Sequence, residues 1–250
     1  MYMNLQPLSS ILLVLILATV SCSKRVATAS TSTEYTAQSG IKTHIEEVKS
    51  FQTTLNAMYL DDSKSPLTHG QKAKFKENGG HIFYEVNVDY RVIADLDTSI
   101  IEKNIRFETT TDRIAIYDLY GIATFELQGQ EYSLRIFQNQ SLRASDEYKD
   151  HLFLPFQDLT NGSDTYGGGR YIDLKIPNDD MIVIDFNKSY NPYCAYNHLY
   201  SCPVPPRENF MDEKILAGVK YNALWHLIRP LAFTVLSSEY SFILLERLYI

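Results

Sequence analysis

The chain has 250 residues, 45% of them apolar, and carries a formal net charge of −7 with an isoelectric point near 5.4. That is enough apolar material for one globular domain with a sizeable core. The negative balance and the scatter of Lys and Arg, without a basic stripe, exclude nucleic acid as an expected partner.

Residues 11–20, ILLVLILATV, form an uncharged apolar run. It is too short to span a bilayer as a permanent helix and fits an export signal. The run leads into ATVSC, with Ser21 directly before Cys22. That junction resembles the lipobox of bacterial lipoproteins, with Thr19 where leucine is usual and no Lys or Arg in MYMNLQPLSS. An ordinary cleaved signal with a nearby cysteine is the alternative. The resemblance implies a signal peptide over 1–21, a lipid on Cys22, and a bacterial cell-envelope location on the periplasm-facing outer membrane. One acyl chain binds a membrane marginally, at about 0.8 kcal/mol per buried methylene, whereas several anchor stably. Residues 22–40 are rich in Ser, Thr and Ala and poor in large apolar groups, so a flexible tether is expected there.

With Cys22 taken by lipid, two of the three cysteines remain, Cys194 and Cys202. In an oxidising envelope they are expected as a disulfide, worth about 2.5 kcal/mol on chain-entropy grounds.

Apolar residues at 41, 45, 48, 51, 55, 58 and 59 have helical spacing and predict a helix over 41–60, with Thr43 and Glu46 as a capping box at its start. Pro66 breaks the chain, Thr68 and Gln71 suit a second cap, and Gly79-Gly80 ends a short helix. IFYEVNVDYRVIADLD then reads as a strand, followed by a meander with strands near 104–110, 113–120, 121–128 and 131–138. HLFLPFQD, RYIDLKI and MIVIDFN supply three more. The expected fold is mainly β, an antiparallel barrel or sandwich of about eight strands with a helical lead-in. Lead-in and β domain together occupy 41–222, and 223–250 is an atypical extension.

SPLTHGQKAKFK, LFLPFQDLTNGSDTYGGGRYIDL, DFNKSYNPYCAY and SCPVPPREN followed by ILAG resemble the bacterial domain of unknown function 1684 family, over about residues 65–220. The resemblance implies no settled activity. Two departures stand out: Val219 occupies a position where the family tends to have Glu, and the chain continues where the family tends to stop. The Leu-rich end is readable either as helices covering one end of the barrel or as a reading-frame accident near Val219.

Two stretches could carry chemistry. In TNGSDTYGGGRY, glycine N–H groups could cradle an anion beside Tyr166, Gly168 and Arg170. The alternative is a hairpin loop in which Arg170 pairs with Asp164, Asp173 or Asp185. In MIVIDFN, Asp185 and Asn187 alternate with Ile184 and Phe186, so both would project to one face, the barrel interior if ligand binds there. Tyr190, Asn191, Tyr196, Glu208 and Asn209 follow on a proline-rich loop whose stiffness suits a binding wall. Those Asx groups could equally bond their own backbone.

The preferred expectation is therefore binding of a small polar or anionic ligand by these ten residues. The alternatives are a hydrolase using Asp185 or Glu208 as acid or base, and a structural or assembly lipoprotein without a small-molecule site. No cofactor and no metal are expected. Cys194, His198 and Cys202 are evenly spaced, but Pro192 and Pro203 bracket too short a segment for a helical zinc site. The other histidines are dispersed and are expected at the surface.

Overall fold

A computed structural model describes residues 26–221, with side chains from residue 38 onward. The export signal over 1–21, Cys22 and the extension over 223–250 lie outside the described residues.

Helix α1 spans Val26–Leu60. It begins inside the stretch expected as a tether, because no proline interrupts 26–60 and Gly40 alone does not stop a helix. Thr43 is accordingly no N-cap; its hydroxyl donates to the Ser39 carbonyl one turn back, at 2.9 Å. His44, Val48, Leu55 and Tyr59 form the buried stripe of α1. Helix α2, His69–Glu77, has the predicted capping box between Thr68 and Gln71. It stops at Asn78, after which the Gly80 N–H returns to the Phe75 carbonyl at 2.9 Å.

Eight strands follow: β1 Arg91–Asp97, β2 Ile105–Phe107, β3 Ala115–Leu127, β4 Gln130–Asn139, β5 His151–Asp158, β6 Arg170–Lys175, β7 Met181–Asp185 and β8 Phe210–Met211. They form one curled half-barrel sheet in the order β6-β5-β4-β3-β1-β7, with β2 on β3 and β8 parallel to β5. The strands expected at 113–120 and 121–128 are a single long β3, irregular between Leu119 and Gly121 rather than turned there. The first expected strand is shorter than its apolar run, since a 3₁₀ turn at Val88–Tyr90 delays it to Arg91.

Period-2 alternation gives the sheet two buried faces. One face packs Phe125, Ile136, Leu154, Phe156, Ile184 and Phe186 into the main core. The other packs Phe107, Tyr117, Phe137, Phe153 and Tyr171 with both C-terminal cysteines. Strand β5 is buried on both faces, which is why HLFLPFQD is almost continuously apolar.

The chain after β7 serves both faces: Tyr190, Cys194 and Cys202 pack on the second, while Met211, Ile215 and Ala217 return to the main core. Tyr190 bridges Tyr171 on β6, Pro203 bridges Thr109, and Val219 bridges Phe83. Edges that would otherwise expose unpaired backbone are covered in this way. Val219 is fully buried among α1, α2 and Tyr196, a packing position.

Gly218 makes the last closure possible. It has φ of +79°, and a Cβ there would lie 2.0 Å from Ser189 Oγ and 2.8 Å from the Phe186 carbonyl. Gly218→Ala should therefore destabilise the protein by about 2–4 kcal/mol through strain and overpacking, read as a lower urea midpoint.

Candidate functional site

The glycine-rich loop and the proline-rich segment do meet, but over packed side chains rather than a hollow. A Cβ on Gly168 would stand 2.5 Å from the Tyr166 ring. Gly169, at φ of +90°, would bring one to 2.6 Å from the Phe156 carbonyl and 2.8 Å from Pro205. The glycines thus permit close approach of the two segments.

Arg170 is wholly buried. Its partner is none of the acids expected from sequence but Asp158, the residue that ends β5, with Arg170 Nη2 2.7 Å from Asp158 Oδ2. Nη2 also donates to the Ile215 carbonyl at 2.9 Å and Nη1 to the Ala217 carbonyl. The guanidinium lies over the Phe156 ring, 5.2 Å from its centroid, because Phe156 and Arg170 are register partners on one sheet face. The other Asp158 oxygen accepts from the Thr160 N–H and hydroxyl. Arg170 therefore fastens the β5–β6 pair to the C-terminal run.

Asp185 and Asn187 do not face the barrel interior. Strand β7 ends at Asp185 and a 3₁₀ turn over Phe186–Lys188 breaks the alternation. Asp185 Oδ2 sits 2.8 Å from His44 Nε2 of α1, both groups buried, and Asp185 Oδ1 accepts from Asn187. Asn187 also bonds both the N–H and the carbonyl of Asn87. His44 is thus a buried contact, contrary to the surface position expected for it.

The remaining candidates are dispersed. Asn191 donates to the Tyr196 hydroxyl at 2.9 Å, deep in the helix-facing cluster. Asn209 clamps β4 to β5: its Oδ1 accepts the Arg135 N–H and its Nδ2 donates to the Arg135 and Pro155 carbonyls. Glu208 beside it is exposed. It lies over the β4–β5 side, whereas Asp185 faces α1, so the two carboxylates do not form an acid–base pair. Tyr190 alone reaches a polar surface cluster, donating to Asp173 Oδ1 at 2.9 Å.

The structure does not show the expected disulfide: Cys194 and Cys202 stand in it as reduced, buried thiols. They are nonetheless neighbours, with the Cys194 N–H 3.2 Å from the Cys202 sulfur. A hydrogen bond from the Cys202 thiol, assisted by the Tyr166 hydroxyl, draws Cys194 down to about 6 against the opposing effect of burial. The same contact and burial push Cys202 up. His198 is exposed, and no group of His, Cys, Asp or Glu among the described residues is arranged to hold a metal.

An open recess of about 470 Å³ lies elsewhere, between β1 and the turn before β7. Asp95, Asp97, Asp179 and Asp180 line it with Leu96 and Met181, and none of the candidate ligand residues takes part.

Sequence reasoning also missed His81. Its Nδ1 is 2.8 Å from Asn56 Oδ1, and edge-on contacts with Tyr59, Phe75 and Tyr196 enclose the ring. Burial holds His81 well below an ordinary imidazole, at about 3.

These features define a mainly β half-barrel with a helical lead-in and an internally bonded C-terminal strap. The chain belongs to the family described as Protein of unknown function (DUF1684), whose model matches residues 76–220. Among solved structures, it is similar to an uncharacterized protein of Haloarcula marismortui determined by solution NMR. The two are 28% identical with a TM-score of 0.57, over 73% of this chain and 96% of that one. No curated protein matches.

Two outcomes follow from the buried groups. Asp158→Asn should cost about 3–5 kcal/mol by stranding the Arg170 charge. The double variant Asp158→Leu/Arg170→Met should recover part of that loss in equilibrium urea unfolding. For His81 the folded form resists protonation while the unfolded form takes a proton near pH 6.5. Its contribution is complete above that value and is lost as pH falls towards 3. Between pH 6.5 and 5 the native protein should lose about 2 kcal/mol more than His81→Leu, measured by denaturant titration at each pH.

Proposed function

We propose that the chain is an envelope lipoprotein, anchored through Cys22, that acts by its surface in a structural or assembly role. One observation carries the choice between the readings. The polar groups that would have bound a small ligand, Arg170, Asp185, Asn187, Asn191 and Asn209, are all buried and already bonded to protein partners. A ligand would have to replace those bonds, leaving orphaned groups at about 1–3 kcal/mol each. The Ser21-Cys22 junction supports the anchor, and export would place Cys194 and Cys202 where their adjacent thiols close to a disulfide.

Intact-mass measurement of the native protein tests this directly. The expected mass is that of a chain starting at Cys22 with a lipid adduct and two hydrogens fewer than the dithiol. Cys22→Ala should abolish the adduct and release the protein from membranes. An unlipidated chain, or a melting midpoint that rises in proportion to added nucleotide or carboxylate, would overturn the reading.

A further inference from the structure

Strand β7 ends the sheet as an edge that the strap leaves uncovered. Among the described residues it pairs with β1 alone, and the strap's bridges fall at Tyr171, Thr109 and Phe83. The Leu96 N–H donates to the Asp180 carbonyl at 2.7 Å, in the same register that pairs Asp95 with Met181. In an antiparallel ladder every second residue turns its backbone to the partner, so residues 180, 182 and 184 face β1. The N–H and carbonyl of Val183 and the carbonyl of Met181 therefore point outward, while the Met181 N–H is taken by Asp179 Oδ1 at 3.0 Å. The strand sequence MIVID holds no Lys and no Pro, the residues that blunt an open edge.

The side chains of Met181 and Val183 lie on the second face of the sheet, at an end the strap does not reach. Ile93 and Val183 are register partners, 60% and 40% exposed, and Met181 is 40% exposed, so three large apolar groups stand open together. The charge around them has one sign. Asp95, Asp97, Asp179 and Asp180 line the recess at the start of β7. Glu126 and Glu131, both exposed, oppose each other as register partners on β3 and β4, an unfavourable pairing of like charges. Among the described residues none of these six acids forms an ion pair. The basic residue of β1, Arg91, stands at the end away from the recess.

We infer that the β7 edge takes up an extended, basic polypeptide segment as an added strand, with apolar side chains beside Met181 and Val183 and a Lys or Arg at the recess. Backbone pairing along an open edge supplies affinity, and the alternate side chains supply the choice of sequence. The unpaired acids draw a cationic segment to this end of the sheet and fix its register. A second copy of the chain is a poorer occupant: it brings a further net charge of −7, and its own edge strand runs into the 3₁₀ turn at Phe186 after five residues. The inference rests on the surface-acting reading, to which it gives a place and a partner class, but it does not need the lipid anchor.

Fluorescence anisotropy tests it, with the purified full chain titrated into a short labelled peptide of alternating Val and Thr that carries Lys at both ends. Saturable binding is expected. Replacing the peptide's Lys by Glu, methylating its alternate backbone nitrogens, or introducing Asp179→Asn with Asp180→Asn in the protein should each weaken binding by about tenfold or more, with the melting midpoint of the variant unchanged. Absence of saturable binding, or binding that the methylated peptide or the double variant preserves, overturns the inference. Val183→benzoylphenylalanine in the full chain reads the occupant: a photo-crosslink to the peptide is expected, and one formed only to a second copy or to residues 222–250 overturns it. A lipidated chain that binds no such peptide sinks this inference alone. An unlipidated chain that binds one sinks only the anchor.

Discussion

The Arg170–Asp158 pair is the constraint from which the rest of the architecture follows. Both side chains are fully excluded from solvent, so neither charge is tolerable unless the other is in place. Arg170 opens β6 and Asp158 closes β5, while Nη2 and Nη1 also reach the Ile215 and Ala217 carbonyls and Nε is left without a partner. Satisfying one buried cation thus requires a correct β5–β6 register and a C-terminal run threaded back past the sheet. A register slip by one residue would turn Arg170 to the opposite face and strand Asp158. This is a specificity device: the pair selects one arrangement more than it deepens the minimum.

The C-terminal strap is held by the same logic at lower stakes. Prolines 192, 203, 205 and 206 remove backbone donors and forbid regular structure, so the strap cannot join the sheet as a full strand. It uses single bridges instead, at Tyr190, Pro203 and Val219, together with side-chain clamps. Asn209 satisfies both backbone groups of Arg135 and the Pro155 carbonyl; Asn187 does the same for Asn87. These amides do for an irregular segment what ladder bonds do for a strand. The alternation of Asp185 and Asn187 with apolar neighbours reflects that task, continued through a 3₁₀ turn, rather than a polar lumen.

Much of the fold was legible because its signals are local. Hydrophobic alternation located β4 to β7 and Thr68 and Gln71 the start of α2, whereas the expected count of eight strands matches only because β3 was divided in two and β8 was not foreseen. Errors arose where a local signal was absent or ambiguous. Nothing in 26–40 says that a polar, proline-free stretch continues a helix, and Gly121 reads alike as a turn or as an irregularity within β3. The site was far less legible. Arg170 was singled out correctly as a special residue, but its partner depended on β5–β6 register, which carries no local mark. His44 and His81 looked dispersed because each owes its burial to helix docking, a tertiary event.

A buried polar group and an exposed one leave the same trace in a sequence, yet they bear oppositely on function. Asn187 and Asn209 are filled by protein partners, and Arg170, although its Nε has none, is sealed from solvent, so none of the three is open to recognition. Recognition then falls to groups whose capacity is unfilled. On the β5–β6 face the exposed polar side chain is Asp173, which holds His151 and Tyr190 through one carboxylate oxygen. The same hairpin register that forces Arg170 inward on one face sets Asp173 and His151 at the margin of the other. Any change that shifts this register should therefore disturb both faces of the β5–β6 hairpin together.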